Sequence, residues 1–183
     1  MTAIYSHGER RFFDVTKLRA FNGEYIRALS VVEFEQRTQP WLAAPYAPWT
    51  DEQFDRDVFH AMAPLVQDRV KRLIEVPEHV DFLFLDDAPH DAQAWDKTMK
   101  GDAAAVLDGV IALYVTIDWN AEALQGAVAA VGEQHGLKPG KAQAPVRVAI
   151  TGRTVGPPLF QALELFGRER TLHRLRGARA KLD

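Results

Sequence analysis

Apolar residues recur at helical intervals along most of this chain, and short polar stretches separate them. Ser30 and Glu33 have the spacing of a capping box, in which both side chains satisfy free backbone N–H groups at a helix start. Thr50 and Gln53 have the same spacing, and each pair precedes apolar residues three or four positions apart. The pattern therefore predicts helices that open at these two pairs. Three prolines separate them: Pro40, Pro45 and Pro48.

Pro64 interrupts the second of these helices, and we expect the helix to kink or restart there because proline lacks a backbone donor. Its apolar face continues over 65–76. The second half of the chain carries the same helical period. Further helices are predicted over 102–117, 120–135, 157–166 and 168–182, with Gly136 and Gly167 placed to end two of them.

Three stretches depart from this period. Leu85–Gln93 is acidic and rich in turn residues, and Leu137–Pro145 is basic with prolines and glycine, which predicts a linker. Val146–Ile150 has the β-branched content of a strand. No second strand is available to pair with it, so we predict a helix or an extended loop there and an all-α fold overall.

Composition limits the class of protein. The 183 residues suffice for one large domain or two small ones, and 47% hydrophobic with 26% charged residues is typical of a globular protein. The absence of cysteine excludes a disulfide framework, a zinc–thiolate site and a cysteine nucleophile. No leader-like start and no apolar run of about 18 residues is present, so we expect a cytoplasmic protein that does not enter membranes.

Charge is distributed unevenly along the chain. Residues 137–183 hold ten Lys and Arg against three acidic residues, a net +7, whereas the first 136 residues carry 12 against 22, a net −10. A positive end on an acidic body suits a polyanion that docks in one orientation. A solvated C-terminal helix would give the same count and stays as an alternative.

No motif for catalysis is recognisable. The chain has no nucleophile elbow, phosphate-binding loop or dinucleotide fingerprint, and its six histidines do not form a pair at metal-ligand spacing. Asp86, Asp87, His90 and Asp91 have the chemistry to hold a divalent cation, which would make a helical metal enzyme. A polar loop explains the same residues without a metal, and we assign no catalytic, cofactor or metal residue.

The segment from Arg147 to Arg170 combines arginines with a Pro157–Pro158 turn and an apolar helix. An arginine hydrogen-bonds base edges, an exposed Leu or Phe lies against a base face, and prolines fix the backbone between them. We expect one of Leu159 and Phe160 to lie in the core, with Phe160 favoured. The segment therefore indicates a site for unpaired bases, and a helix–loop–helix with solvated arginines is the alternative.

Three segments resemble one known family. They are Phe13–Arg27, Lys71–Glu78 and the tail Arg147–Arg176 with its Pro-Pro-Leu-Phe and Glu-Leu-Phe-Gly-Arg-Glu-Arg runs. In this order, from about Phe13 to the end, they resemble the C-terminal half of bacterial glutamyl-tRNA synthetases, which are class I aminoacyl-tRNA synthetases. The family's catalytic motifs, of the His-Ile-Gly-His and Lys-x-Ser-Lys types, do not occur in this sequence.

The resemblance implies an all-α, two-part helical cage that binds the anticodon, with a first subdomain over 1–136 and a second, basic one over 137–183. The parent enzyme attaches glutamate to tRNA-Glu with ATP and magnesium, whereas this region would need no cofactor or metal and would be inactive alone. Its partner would be tRNA-Glu, and we expect a monomer. The alternative is a stand-alone helical adaptor that binds RNA or protein through the face bearing Leu159 and Phe166.

The resemblance also implies roles for individual residues. Arg147 matches the arginine at the middle anticodon base, with Leu159 packing near it, and Gly156 and Pro157 match the loop at the first base. Arg69 matches the reader of the third base, which is cytosine in tRNA-Glu and guanine in tRNA-Gln. A guanidinium satisfies the acceptors O2 and N3 of cytosine, while the N1 and N2 donors of guanine oppose it.

Other residues have secondary expectations. Arg72 competes with Arg69 for the third-base role. Four arginines are expected to contact the RNA backbone: Arg72, Arg153, Arg168 and Arg170. Another set is expected mainly to pack and cap helices: Asn22, Gly23, Tyr25 and Arg27. The four tryptophans are expected in the core: Trp41, Trp49, Trp95 and Trp119. Arg174 is expected to face phosphates or solvent, as are Arg168 and Arg170.

Overall fold

A computed structural model describes residues 15–89 and 91–182. Its α-helices are α1 Val15–Ala28, α2 Val31–Thr38, α3 Arg56–Gln67, α4 Val76–Phe84, α5 Ala92–Thr98, α6 Ala103–Tyr114, α7 Ala121–Gln134, α8 Pro139–Thr151, α9 Leu159–Phe166 and α10 Arg168–Ala180. Short 3₁₀ helices cover Gln39–Trp41 and Leu73–Glu75. These two ranges contain no β-strand, so the predicted all-α fold is confirmed.

One of the two predicted capping boxes is present. The Ser30 hydroxyl accepts a hydrogen bond from the Glu33 backbone N–H, and the Glu33 carboxylate accepts one from the Ser30 N–H, so α2 begins as predicted. The helix predicted at Thr50 is wrong, because the chain only turns there and α3 begins at Arg56. The Asp55 carboxylate caps α3 by accepting from two backbone N–H groups, at 2.9 and 3.1 Å. A carboxylate at a helix N-terminus is also favoured by the helix dipole.

The prediction for the middle of the chain needs three corrections. Helix α3 passes through Pro64 and ends at Gln67, so it neither restarts at Pro64 nor continues to residue 76. Pro64 is exposed, where water can satisfy the carbonyl that it leaves free. Helices α4 and α5 were not predicted. α4 buries seven of its nine residues and so lacks the polar face on which periodicity depends.

The second half matches the prediction better. α6, α7, α9 and α10 confirm the four predicted helices, and Gly136 and Gly167 end two of them with φ of 64° and 87°. The predicted linker over 137–145 is wrong, because α8 begins at Pro139 and includes the Val146–Ile150 segment. Proline at a first helical turn loses no hydrogen bond, which is why proline there did not prevent a helix.

Helix α7 packs closely on both α6 and α8. A Cβ atom at Gly109 would lie 2.9 Å from Val131 Cγ1, and one at Gly132 would lie 2.7 Å from the Ala142 Cβ. These approaches require glycine, and the one between Gly132 and Ala142 joins helices on the two sides of the boundary predicted at 136/137. The division into two subdomains stays a prediction.

Helix α1 is attached to the segment that follows α3. The Asn22 side-chain amide donates to the Lys71 carbonyl, and the buried Gln67 amide donates to the Ile26 and Leu29 carbonyls at 2.8 Å. A Cβ atom at Gly23 would lie 3.3 Å from Lys71 Cγ. The packing role predicted for Asn22 and Gly23 is therefore confirmed. The other two residues of that set are exposed; Tyr25 lies 5.4 Å from the Arg37 guanidinium, and Arg27 extends along α1.

Three tryptophans lie in or against the core as predicted. Trp49 is buried, and Trp95 and Trp119 pack against the core. Trp41 is half-buried and packs edge-on against Tyr46, with ring centroids 4.6 Å apart. Within the described ranges, every helix is too short or too polar to span a bilayer.

Candidate nucleic-acid interface

The loop over 152–158 joins α8 to α9 and is held at its start by a left-handed turn. Gly152 ends α8 with φ of 69°, a conformation that favours glycine. The buried Thr151 hydroxyl donates to the Arg147 carbonyl at 2.9 Å and accepts from the Arg153 backbone N–H at 3.3 Å. The first residues of the loop are thus fixed to the last turn of α8.

The other end of the loop is held by Arg147. Its Nη1 atom donates to the Pro157 carbonyl at 2.9 Å, and a Cβ atom at Gly156 would lie 3.5 Å from the same nitrogen. Three residues predicted from the resemblance therefore meet at one point: the Arg147 guanidinium and the backbone of Gly156 and Pro157. Nη1 makes the only hydrogen bond from this guanidinium to the described residues, and its other donors are not sealed from solvent.

Arg69, from a different part of the chain, acts on the Arg147 guanidinium through its charge. It follows α3, where its backbone N–H donates to the Val66 carbonyl at 2.8 Å, and its side chain is exposed. Burial lowers the pKa of the Arg147 guanidinium, and the positive charge of Arg69 lowers that pKa further. No carboxylate of the described residues offsets these two effects. We call the Arg69 and Arg147 side chains with the backbone of 156–157 the arginine site.

A half-buried cation beside a second cation is an unfavourable arrangement in the free protein. Such a charge pair is stabilised by electronegative atoms from outside, and an arginine fork suits planar acceptors. Base edges and phosphates both provide such acceptors. The arginine site therefore has the electrostatics of a nucleic-acid contact.

Leu159 is not available as a contact residue. Its side chain is 2% exposed and Phe160 is 9% exposed, so both lie in the core, whereas only one was expected there. They begin α9 just after the loop and face the same core as Leu163. The prediction that Leu159 packs near a base is corrected: Leu159 holds the start of α9 from inside the protein.

Arg153 forms an internal ion pair. Its two terminal nitrogens donate to both oxygens of the Asp81 carboxylate, at 2.8 and 2.7 Å, and Glu78 lies 3.5 Å from Nε. Hydrogen bonding to Asp81 keeps the pKa of Arg153 above its ordinary value although burial opposes this. This guanidinium already has a carboxylate partner and is therefore less free than that of Arg69, and its contact with the RNA backbone stays a prediction.

Three C-terminal arginines bind backbone carbonyls at the ends of other helices. Arg168 donates to the Val115 and Ile117 carbonyls after α6, at 2.6 and 2.5 Å. Arg170 donates to the Leu83 and Leu85 carbonyls at the end of α4, at 2.7 and 3.2 Å.

Arg174 makes the most buried of these contacts, donating to the Ile150 carbonyl in α8 at 2.7 Å and to that of Leu85 at 2.6 Å. The last turn of a helix leaves carbonyls without partners, and these guanidinium groups satisfy them. Arg174 is buried, so the expectation that it faces phosphates or solvent is corrected. Arg168 is half-buried and Arg170 is exposed, so their contacts with the RNA backbone stay predictions.

Arg72, the competitor for the third-base role, is less free than Arg69. Its Nε donates to the Glu75 carboxylate at 2.7 Å, and Glu75 also accepts from the Arg72 backbone N–H. Arg72 lines an open cleft of about 390 Å³ together with Arg153 and the loop residues Thr154 and Val155. The side chain is half exposed, so a backbone contact by Arg72 stays a prediction.

Sequence reasoning missed Val155 and Asp81. Val155 is 75% exposed, the most exposed large apolar side chain of the described residues, and it precedes Gly156 at the arginine site. The sequence feature that could have identified Val155 is its position directly before the Gly156-Pro157-Pro158 run. Asp81 is 4% exposed in an apolar stretch, where a lone carboxylate indicates a buried partner.

The acidic residues considered for a cation have other arrangements. The Asp91 carboxylate caps α5 by accepting from the Gln93 and Ala94 backbone N–H groups. His90 lies outside the described residues. Among 15–89 and 91–182, no three potential ligands form a group that could hold a metal ion.

A sequence model described as the anticodon binding domain matches residues 33–179. The chain belongs to this family. It is 60% identical over 171 residues to a glutamate–tRNA ligase of Frankia casuarinae, 58% identical over 171 residues to that of Frankia alni, and 53% identical over 174 residues to that of Thermobifida fusca. Each alignment covers 93% of this chain and 36% of the relative, so the chain spans about a third of the length of these relatives.

Solved structures have the same fold. A glutamate tRNA ligase from Elizabethkingia meningosepticum superimposes with a TM-score of 0.73 at 23% identity, over 93% of this chain and 33% of that one. A glutamate-tRNA synthetase from Elizabethkingia anophelis gives 0.68 at 24% identity, over 92% of this chain and 32% of that one. The predicted resemblance to glutamyl-tRNA synthetases and the helical anticodon-binding fold are both confirmed.

Proposed function

We propose that this chain reads the anticodon of tRNA-Glu as one region of a glutamate–tRNA ligase. The observation that carries the proposal is the half-buried Arg147 guanidinium, which lies beside the Gly156–Pro157 backbone and forms no ion pair with a carboxylate of the described residues. The positive charge of Arg69 also acts on it. The whole relatives are glutamate–tRNA ligases by name. Attachment of glutamate, with ATP and magnesium, belongs to the part of the parent enzyme that this chain does not contain, and we assign the chain no cofactor.

Base reading follows from the geometry of the two guanidinium groups. Arg147 is oriented by its bond to the Pro157 carbonyl, which holds the guanidinium in a defined position and leaves its remaining donors for a ligand. In the proposal these donors meet the middle base, and the exposed Arg69 meets the third base. Cytosine presents acceptors to a guanidinium and guanine presents donors on the corresponding edge, which separates tRNA-Glu from tRNA-Gln.

In the proposal, the backbone of the 152–158 loop contacts the first anticodon base. Gly156 carries no side chain, so the backbone and the Arg147 guanidinium stay accessible beside it. Pro157 and Leu159 act as positioning residues, because both are buried and hold the loop and the start of α9. We propose a cytoplasmic protein that binds its tRNA as a monomer, as expected for a component of translation.

The adaptor alternative lacks the surface that it needs. It uses the face bearing Leu159 and Phe166, and these side chains are 2% and 4% exposed. A partner protein would have to open the core to reach them. The anticodon proposal uses donors that already reach the surface.

The test is a comparison of tRNA affinities. The chain is titrated with tRNA-Glu and with transcripts that differ only at the third or the middle anticodon base. Removal of one well-formed base contact costs about 1 to 3 kcal/mol, so we expect roughly 5- to 150-fold weaker binding of each altered transcript. Equal affinity for all anticodons would contradict anticodon reading.

Substitutions of the two arginines test which anticodon base each of them reads. Arg69→Ala should remove the preference for cytosine over guanine at the third base, and Arg147→Lys should keep the charge but abolish the preference at the middle base. Arg176→Ala is the matched control, because Arg176 is exposed on α10 and the substitution removes the same charge elsewhere. If the Arg69→Ala protein keeps its preference for cytosine at the third base, Arg72→Ala is tested next. Loss of that preference in the Arg72→Ala protein would show that Arg72 reads the third base.

A further inference from the structure

A second open cleft, of about 790 Å³, lies between the end of α5 and the start of α8. Four lysines line it: Lys97, Lys100, Lys138 and Lys141. All four side chains are exposed. None of them forms an ion pair with a carboxylate among the described residues. We call this surface the lysine cleft.

The lysine cleft carries a strong excess of positive charge. Asp102 is its one acidic lining residue, and Asp102 stands at the start of α6, where the helix dipole favours a negative charge. The whole chain has a formal net charge of −3, so this positive surface is a local departure from an acidic protein. Such a distribution admits a polyanion at one place and repels it elsewhere.

The cleft is continuous with the loop of the arginine site. Thr154 lines the lysine cleft and also lines the neighbouring cleft with Val155 and Arg72. Thr154 is two residues from Gly156, against which the Arg147 guanidinium lies. The loop thus contributes to both sites, through Thr154 to the lysine cleft and through Gly156 to the arginine site, whereas the neighbouring cleft is also lined by Glu75, Glu78 and Asp91.

The two surfaces differ in chemistry. The arginine site presents planar forks, which match the flat, directional acceptors of base edges. The lysine cleft presents only ammonium groups on flexible stems, which act as point charges and suit phosphates without reading sequence. Phosphate contacts position a nucleic acid, whereas base contacts specify it.

We propose that the lysine cleft binds backbone phosphates of the anticodon stem-loop whose bases the arginine site reads. This inference rests on the proposed function and adds a separate, sequence-independent surface to it. It predicts that affinity and salt dependence are set largely at the cleft, while the preference among anticodons is set at the arginine site.

Glycine positions allow a charge-reversal test without disturbing the fold. Gly140 lines the cleft in the first turn of α8, and a Cβ atom there would meet no other atom within 4 Å. Glutamate in a first helical turn is favoured by the helix dipole, and replacing a helical glycine adds stability. Gly140→Glu should therefore melt no lower than the parent protein. Gly126→Glu is the matched control, because Gly126 in α7 is also exposed with open space.

The probe is an isolated anticodon stem-loop RNA, compared with full-length tRNA-Glu. We expect Gly140→Glu and the double variant Lys97→Ala/Lys141→Ala to bind both RNAs about 5- to 20-fold more weakly. The slope of log affinity against log salt should fall by about 0.7 to 0.9 for each phosphate that the variant no longer neutralises. The ratio between matched and altered anticodons should stay constant, and Gly126→Glu should behave like the parent protein.

Three results would overturn the inference, and one result concerns the proposed function alone. Unchanged affinity and salt slope in both cleft variants would exclude the cleft. An effect seen with full-length tRNA but absent with the stem-loop would place the phosphates elsewhere on the tRNA. An equal effect of Gly126→Glu would show a general charge effect. Absence of anticodon preference in the parent protein would instead contradict the proposed function, whatever the cleft variants do.

Discussion

Both terminal nitrogens of Arg153 donate to the two carboxylate oxygens of Asp81, at 2.8 and 2.7 Å. The pair joins the beginning of the 152–158 loop to α4, because Asp81 belongs to that helix. Asp81 is buried and Arg153 is half-buried, so removal of Arg153 leaves the Asp81 carboxylate without an ion-pair partner, and removal of Asp81 leaves Arg153 with only Glu78, at 3.5 Å. This ion pair and the Arg147–Pro157 hydrogen bond together hold the loop at both ends.

Asp81→Ala is expected to destabilise the protein by about 3 kcal/mol, because the half-buried Arg153 guanidinium loses both hydrogen bonds to this carboxylate and keeps only the longer contact with the exposed Glu78. Urea unfolding at neutral pH measures this change. The control is Asp108→Ala, which removes an exposed partner of Arg179 at 2.9 Å and should cost under about 1 kcal/mol. Similar losses of stability in both variants would show that the Asp81 pair has no special role.

Arg174→Met should destabilise the protein by about 2 kcal/mol, because it frees the Ile150 carbonyl in the interior and leaves the Leu85 carbonyl with Arg170 alone, at 3.2 Å. Burial lowers the pKa of Arg174 to about 10, with a further contribution from Arg170, and the group stays charged at neutral pH. Arg176→Met is the matched control on the same helix, since Arg176 is exposed. Its change in unfolding free energy should be within about 0.5 kcal/mol.

Leu159→Ala and Val155→Ala separate packing from surface chemistry around the loop. Leu159 is in the core, so its truncation should cost about 2 to 4 kcal/mol of stability. The tRNA affinity of this variant, corrected for the folded fraction, should stay close to that of the parent protein. Val155 is 75% exposed, and its truncation should change stability by less than about 0.5 kcal/mol. A large affinity decrease in folded Leu159→Ala protein would show that Leu159 positions the loop for RNA binding in addition to stabilising the core.

Arg69→Gln should not lower the melting temperature of the free protein at low salt, although it should weaken tRNA binding. The reason is that Arg69 raises the electrostatic cost of the half-buried Arg147 charge, and removing one cation relieves that cost. Thermal unfolding with and without tRNA tests both parts. A melting temperature well below that of the parent protein would indicate a structural role for Arg69.

His79 should make the protein less stable as the pH falls from about 7 to about 5. Burial lowers the pKa of His79 below its ordinary value, against the opposing effect of Glu78. The unfolded chain therefore takes up a proton at a higher pH than the folded protein does, so stability is lost on acidification. His79→Gln removes this part of the loss. The urea midpoint of the parent protein should fall more steeply with acidification than that of His79→Gln, and equal slopes would contradict the assignment.

The helix pattern was predictable wherever a helix has one apolar face and a recognisable end. Ser30 with Glu33, and Gly136 and Gly167 at helix ends, show this directly. The pattern failed for α4, which is buried on nearly every side and therefore has no periodicity. It also failed at Pro139, which is compatible with both a linker and a first helical turn.

The candidate site was only partly predictable. The resemblance named Arg147, Gly156 and Pro157, and the structure brings these together. It could not tell which arginines have internal partners. Arg153 and Arg174 differ from Arg69 in this respect, and their partners lie far along the chain: Asp81 for Arg153 and Leu85 for Arg174.

The sequence by itself determined the helical class, the start of α2, the four helices α6, α7, α9 and α10, the uneven charge and the family, because these depend on local spacing and on residue type. Only the tertiary structure decided which cations remain available to a ligand. A guanidinium is neutralised or satisfied by groups within hydrogen-bond distance, and in this fold those groups come from helices that are distant in sequence. For the same reason the lysine cleft could not be predicted from the sequence, since it forms only where the end of α5 meets the start of α8.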